Sequence, residues 1–496
     1  MGQLRKNELT FLFSIFILIC SVLITVGCQK IEETEAEEII TATKDEEVVE
    51  EKAVENKEED DEIIVYAGEP SMMIDQVYTT EPLMALTFNG IEEQAKMDSL
   101  LEKLAEYDLS ATFFLDQEQI IDNRDMITSI IDHGHTIELS IMNQQDLSEL
   151  SYEEIYIEAK AGYEVIEEVT GRGPLFSRTK PWSQSNDLQL ITAQLEMEAV
   201  IGHSIRPRNR DLENNDDLAK YIERALSRGG IISLDITDYP QVIDAIDFII
   251  EEAKIIDYAI IPLADLVNIG EVRKPFEEIE GHDLIKKNLD YESEEPNLLY
   301  AKETDEKVVA LTFDDYGSDK TVLQILDMLE ENDIRSTFFL KAQNVERNPN
   351  LAKVILEHGH EIANHTYAHH RSTEISPEEL QDDLIKAHRI ITEAIQEQPT
   401  MLFRPPFGNI DEESAKVISA VGFNNIAMYD ISSYDWNLEY TVDDVVNRVM
   451  DNVGPGSVIV MHILDDIHNI DALPIIIERL QGEGYSFVKM SEWFEE

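Results

Sequence analysis

"VALTFDDYGS" (Val309–Ser318) and "MALTFNGIEE" (Met84–Glu93) share the phrase Ala-Leu-Thr-Phe and leave it differently, through Asp314-Asp315 in one and Asn89-Gly90 in the other. Thr312 stands 225 residues after Thr87, and the same spacing takes "ATFFL" at Ala111 onto "STFFL" at Ser336. It also takes "HGH" at His133 onto "HGH" at His358, and "SYEE" at Ser151 onto "SPEE" at Ser376. Farther on, "IISLDI" from Ile231 meets "VIVMHI" from Val458 after 227 residues, so the second copy has gained two. Agreement over that length means one fold written twice.

The second copy shows the fold class. Short β-rich runs (VVALTF, STFFL, EIAN, MLF, NIAM, SVIVM, SFVKM) alternate with helical patterns. The longest helix opens at Ser376-Pro377-Glu378-Glu379, where Ser caps, Pro suits the first turn and Glu379 closes a capping box. Strand alternating with helix implies parallel strands, and seven or eight such units point to a (β/α) barrel. No glycine-rich dinucleotide loop follows the first strand, which argues against an open doubly wound sheet.

Length and charge bound the rest. A chain of 496 residues predicts two or three domains. Its 102 acidic and 39 basic residues give a net charge of −63, which repels phosphate backbones and excludes nucleic acid as a partner. Both cysteines, Cys20 and Cys28, precede the repeat, so no disulfide staples the body. Arg5 and Lys6, the apolar run Phe11–Val26 and the sequence Ile24-Thr25-Val26-Gly27-Cys28 resemble a bacterial lipoprotein signal, with Cys28 the lipidated residue. An uncleaved signal anchor is the alternative, and either places the body outside the cell. The expected organisation is a signal peptide (1–28), an acidic tether (29–74), a first copy (75–270), a connector (271–304) and a second copy (305–496).

Polar residues follow the strands of the second copy: Asp314-Asp315 after the first, His365 and His369 after the third, Arg404-Pro405-Pro406-Phe407-Gly408 after the fourth, Asp435-Trp436 after the fifth and His462 at the sixth. Singly, each is more often structural: paired acids are commonly surface, and a His after an apolar strand is commonly a satisfied core residue. Together they occupy the end of a barrel where such folds carry catalysis. Two imidazoles and a carboxylate make a metal site with open positions.

The set TFDD, HTYAH, RPPFG, DW and MH resembles the motifs of the NodB-type polysaccharide deacetylases, carbohydrate esterase family four, over about 306–496. The resemblance implies a distorted (β/α) barrel and a metal-dependent hydrolase removing acetyl groups from N-acetylglucosamine in a glycan. It implies Asp315, His365 and His369 as ligands of Zn²⁺, or of another divalent metal such as Co²⁺, and Asp314 as general base. It implies His462 as the acid that protonates the departing amine, Asp435 as its orienting partner and Arg404 as the partner of Asp314. The backbone N–H near Phe407 would stabilise the oxyanion, and Trp436 would wall the sugar. Phe407, Tyr429, Ser432 and Ile463 replace commoner letters of the family, which bears on which glycan fits. His358, His360 and His388 read as structural.

Carried back by the same spacing, Asp314 and Asp315 become Asn89 and Gly90, His365 becomes Ser140, His369 becomes Gln144, and His462 becomes Asp235. Base, ligands and acid are missing together, so the first copy is expected to keep the fold without the chemistry. Packing or glycan binding are its open roles. Trp182 and the basic run Arg206–Arg210 suggest binding, against the alternative of a loop salt-bridged to acidic neighbours. The expected function is an extracellular glycan N-deacetylase acting on peptidoglycan or chitin-like oligomers. The alternatives are an O-acetyl esterase of the xylan type and a non-catalytic glycan-binding surface protein.

Overall fold

The structure, a computed structural model, describes residues 63–141, 150–179, 185–207, 214–237 and 241–494. The expected leader, Cys28 and most of the tether lie outside them. Among the described residues no helix is long and apolar enough to cross a membrane.

The first copy contributes β1 (Met72–Ile74), β2 (Leu83–Asn89), β3 (Thr112–Leu115), β4 (Thr136–Ile141), β5 (Phe176–Thr179), β6 (Ala199–Ile201), β7 (Gly230–Asp235) and β8 (Ala259–Ile260). They form one parallel sheet in the order β1-β6-β5-β4-β3-β2-β7, with β8 beside β2. The second copy contributes β9 (Asn297–Leu299), β10 (Val308–Asp315), β11 (Thr337–Leu340), β12 (Glu361–Asn364), β13 (Leu402–Phe403), β14 (Asn425–Ala427), β15 (Ile431–Ser432), β16 (Val458–His462) and β17 (Ser486–Phe487). Its parallel sheet repeats the order as β9-β14-β13-β12-β11-β10-β16-β15, with β17 beside β10. Each sheet curls until its ends approach: an antiparallel bridge joins Gln76 to Gly230 in the first copy and Ala301 to Ser457 in the second. The chain thus holds two tandem (β/α) barrels of curled parallel sheet, the architecture that the resemblance to the NodB-type deacetylases implies.

β1 falls in the last three residues of the expected tether, and β9 within the expected connector. Three-residue strands at a sheet edge are too short to show a period, so neither could be read from pattern.

The opening phrase is built for a barrel wall. Along β10, Val309, Leu311 and Phe313 face the surrounding helices and join one apolar cluster, while Ala310 joins the barrel interior with Phe339, Ala363 and Ala427. Strand alternation then sends Thr312 and Asp314 inward as well. The first copy repeats the pattern, with Leu86 and Phe88 outward and Ala85 inward. The longest helix of the second copy, Pro377–Ile395, carries the capping box read from sequence, Ser376 and Glu379 each satisfying the other's backbone.

The two barrels meet across a polar seam. Buried Asn350 donates to the carbonyls of Val77 (2.8 Å) and Arg228 (2.7 Å) and accepts from the Thr79 N–H. Buried Asp319 accepts from the Tyr258 hydroxyl and the Arg228 N–H of the first copy, and from Asn348 of its own. Lys320 pairs with Glu223 (2.7 Å) and Glu252 (3.1 Å). Buried groups left unpaired cost about 1–3 kcal/mol each, so this pattern holds the two copies in one register.

Candidate active site

The register of β10 against its neighbours brings the site together. Asp314 pairs with His462 on β16, so the two side chains emerge from adjacent strands on the inward face. His365 directly follows β12, and Arg404 directly follows β13. Buried Arg404 donates to Asp314 (2.8 Å), to the Thr312 hydroxyl (2.7 Å) and to the carbonyls of Ala427 and Met428, and lies 4.0 Å from the Phe339 ring centre. A buried carboxylate is thereby paired and hydrogen-bonded.

Simple alternation would turn Asp315 away from Asp314. Its backbone instead adopts φ 78, in the left-handed region, which breaks the alternation. Its carboxylate lies 3.3 Å from His369 Nε2. Thr366, His369 and Phe407 share that unusual backbone, at φ 67, 60 and 61. Such residues are held by their surroundings and cluster at functional sites.

Asp315, His365 and His369 each offer an atom to a common point, all within 4.8 Å of one another. His365 Nδ1 lies 2.8 Å from the Arg404 carbonyl oxygen, which only accepts, so Nδ1 carries the proton and Nε2 keeps its lone pair. Burial lowers the His365 pKa to about 3 and lowers that of His369 as well, so both imidazoles are neutral. Two neutral imidazoles, one oriented from behind by a carbonyl, and one carboxylate fit a divalent cation.

His462 differs. Burial disfavours its charge, but Asp435, 2.7 Å from Nδ1, together with Asp314 and Asp315, outweighs it and raises the pKa to about 9. Asp435 is itself buried and also accepts from the His462 backbone N–H (2.8 Å). Phe407 is exposed, its ring edge against His369 (4.7 Å) and its face under Arg371 (4.4 Å). Trp436 stands half exposed beside Tyr434, with ring centres 5.7 Å apart. His360 accepts from the Ser336 N–H, as His135 does from Ala111, and burial lowers both pKa values, to about 3 and about 4, which fits structural imidazoles.

A family model described as polysaccharide deacetylase matches residues 76–200 and again 301–426. The chain belongs to the polysaccharide deacetylase family. Two peptidoglycan-N-acetylglucosamine deacetylases of Bacillus cereus are each 35% identical to 38% of this deacetylase chain, over 68% and 88% of their own lengths. The peptidoglycan-N-acetylmuramic acid deacetylase PdaC of Bacillus subtilis is 32% identical over 38% of each chain. Among solved structures, the Bc1960 peptidoglycan N-acetylglucosamine deacetylase is 32% identical, with a TM-score of 0.38 over 40% of this chain and 92% of that one.

In this deacetylase the first copy keeps more of the old site than its letters suggest. Arg178 repeats Arg404 bond for bond, donating to Asn89 (3.1 Å), the Thr87 hydroxyl (2.9 Å) and the carbonyls of Ile201 and Gly202, 3.9 Å from the Phe114 ring centre. Sequence reading passed over it, though "FSR" lies 226 residues before "LFR", midway between the two spacings already in hand. Asn89 pairs with Asp235 across β2 and β7, the register of Asp314 with His462. Asp235 is locked to Arg206 (2.5 Å), so at Arg206 the basic run is a salt bridge. Gln144, Trp182, Arg208 and Arg210 lie outside the described residues. Lys341 was also missed; its N–H donates to the Asp315 carbonyl (3.4 Å), and its charge is felt at His369.

Proposed function

We propose that the second copy hydrolyses acetyl groups from N-acetylglucosamine units of an extracellular glycan, with peptidoglycan as the polymer. The observation that supports it most is the Asp314–His462 register, with Arg404 and Asp435 behind the pair and the ligand cluster beside it. The relatives named above are all peptidoglycan deacetylases, two of N-acetylglucosamine and one of N-acetylmuramic acid. Asp315, His365 and His369 would hold Zn²⁺ or a similar divalent ion, which supplies Lewis-acid polarisation of the amide carbonyl and acidifies water. Asp314, held in place by Arg404, takes the proton of the attacking water. The backbone N–H at Phe407 donates to the developing oxyanion. His462 then gives its proton to the departing nitrogen, held charged by Asp435 until that moment. Trp436 offers its exposed face to the sugar ring.

The test is acetate release from N-acetylglucosamine oligomers and cell-wall fragments. Release that stops with chelator and returns with Zn²⁺ is expected; no release from any of these refutes the proposal.

The charge on His462 gives a pH dependence with a definite sign. Below its raised pKa of about 9 the imidazolium can donate; above it the proton is gone, so turnover should fall on the alkaline side. A bound cation opposes the part contributed by Asp314 and Asp315, while the part from Asp435 remains. Asp435→Asn should therefore move the alkaline limb to lower pH, and His462→Ala should slow turnover by about 10²–10⁴-fold with metal content intact. A limb that stays in place in both variants would assign the proton to another group.

We also propose that Cys28 is lipidated and that the acidic stretch tethers the deacetylase at the outer face of the membrane. Fatty-acid label should enter the parent and be absent from Cys28→Ala; equal labelling would refute the anchor.

A further inference from the structure

Between the two copies lies a cleft of about 260 Å³, lined by Ser204, Arg224 and Ser227 of the first and by Gly317, Asn344 and Arg347, among others, of the second. Its second-copy walls are the segments that follow the catalytic strands: 316–318 after β10, 344–348 at the end of the short helix after β11, and Asp465 after β16. All three lie at the C-terminal ends of parallel strands, the face on which such barrels work. Gly317 is two residues beyond Asp315, so its backbone is at most about 7 Å away. The segment from Lys341, bonded to the Asp315 carbonyl, to Arg347 joins the ligand cluster to the cleft over a distance on the order of 10 Å.

Among the described residues, the one carboxylate that lines the cleft, Asp465, is hydrogen-bonded within its own copy. Asp465 accepts from the Ser318 N–H (3.1 Å) and hydroxyl (2.7 Å) and from Thr321 (2.6 Å). Arg224 and Lys220 of the first copy pair with Asp466, drawing its charge toward their side. Arg347 is exposed and has no ion-pair partner among the described residues. An unneutralised guanidinium in a chain of net charge −63, beside hydroxyls and an amide on the catalytic face, is an acceptor's site.

We propose that this cleft is an accessory subsite for a carboxylate carried by the glycan strand, with Arg347 as the group that grips it and the inactive copy as its outer wall. The proposal rests on the reading of the second copy as a glycan deacetylase. It assigns the first copy a share in choosing the polymer: a strand bearing carboxylates beside its N-acetyl sugars is held at two points, a neutral one at a single point.

The full chain should be assayed with three probes: neutral chitotetraose, a peptide-free oligomer of N-acetylglucosamine and N-acetylmuramic acid, and the same oligomer with stem peptides. KM and, by calorimetry, Kd are measured for each. The parent should prefer carboxylated probes, and the preference should shrink with salt. R347Q should cut that preference about tenfold through KM, with kcat on the carboxylated probes held. R347K should keep most of it, and R224Q should weaken it by leaving Asp466 paired with Lys220 alone. Whichever carboxylated probe responds to R347Q identifies the lactyl or the stem-peptide carboxylate as the ligand. A parent without preference, or an R347Q variant that weakens all three probes equally, overturns the subsite. If no probe yields acetate, the deacetylase reading fails, while a loss of Kd for carboxylated probes alone in R347Q still upholds the subsite.

Discussion

Replacing His365 or His369 by Ala is expected to remove stoichiometric metal and to lower turnover by about 10⁴-fold or more. Each imidazole is one of three side chains converging within 4.8 Å, the one such group of His, Cys, Asp and Glu found among the described residues. A cation's stabilisation of developing charge is worth several kcal/mol, and each ~1.4 kcal/mol is tenfold in rate. His369 is partly exposed and His365 is buried with its ring tied to a carbonyl, so His365→Ala should also unsettle the loop at Arg404. His369→Ala therefore isolates the ligand effect. Metal content by mass spectrometry and acetate release should fall together. Equal metal in parent and variant would show that the ligands lie elsewhere.

The second large effect is on stability. Arg404→Met should destabilise the protein by about 3–5 kcal/mol, because it strands the Asp314 carboxylate in a buried site with its partner gone. Arg178→Met, in a cage with the same bonds, faces the neutral amide of Asn89 and should be distinctly milder. Urea unfolding of the two variants beside the parent measures the difference. Equal losses would mean that packing on Phe339 and Phe114, rather than buried charge, dominates both sites.

The contrast shows how much was legible. The barrels could be read from ALTF because its apolar and small residues alternate with a period of two and the phrase recurs at a fixed spacing. The convergence of Asp314, His365, Arg404 and His462 could be read because each directly follows, or ends, a recognisable strand, and Asp435 because it lies in the loop three residues after β15. Arg178 escaped because its drifted spacing matched neither value used. The seam escaped for a deeper reason: Asn350 meets Val77, and Asp319 meets Tyr258, through tertiary proximity with no local pattern to announce it. Nor does any letter disclose that Asp315 sits at φ 78.

That last angle has a counterpart. Gly90, at the same place in the first copy, has φ 75, so the turn survived there while its side chain did not. A left-handed backbone costs an ordinary L-residue about 1–2 kcal/mol, an aspartate less because its short side chain can bond locally, and glycine almost nothing. The first barrel thus sits on the downhill side of a step that the second stands above. Movement across that step is asymmetric: glycine at 315 would relax the loop at once, whereas aspartate at 90 would have to climb before any ligand arrived to reward it. The chain holds the two ends of that step side by side, one in each copy.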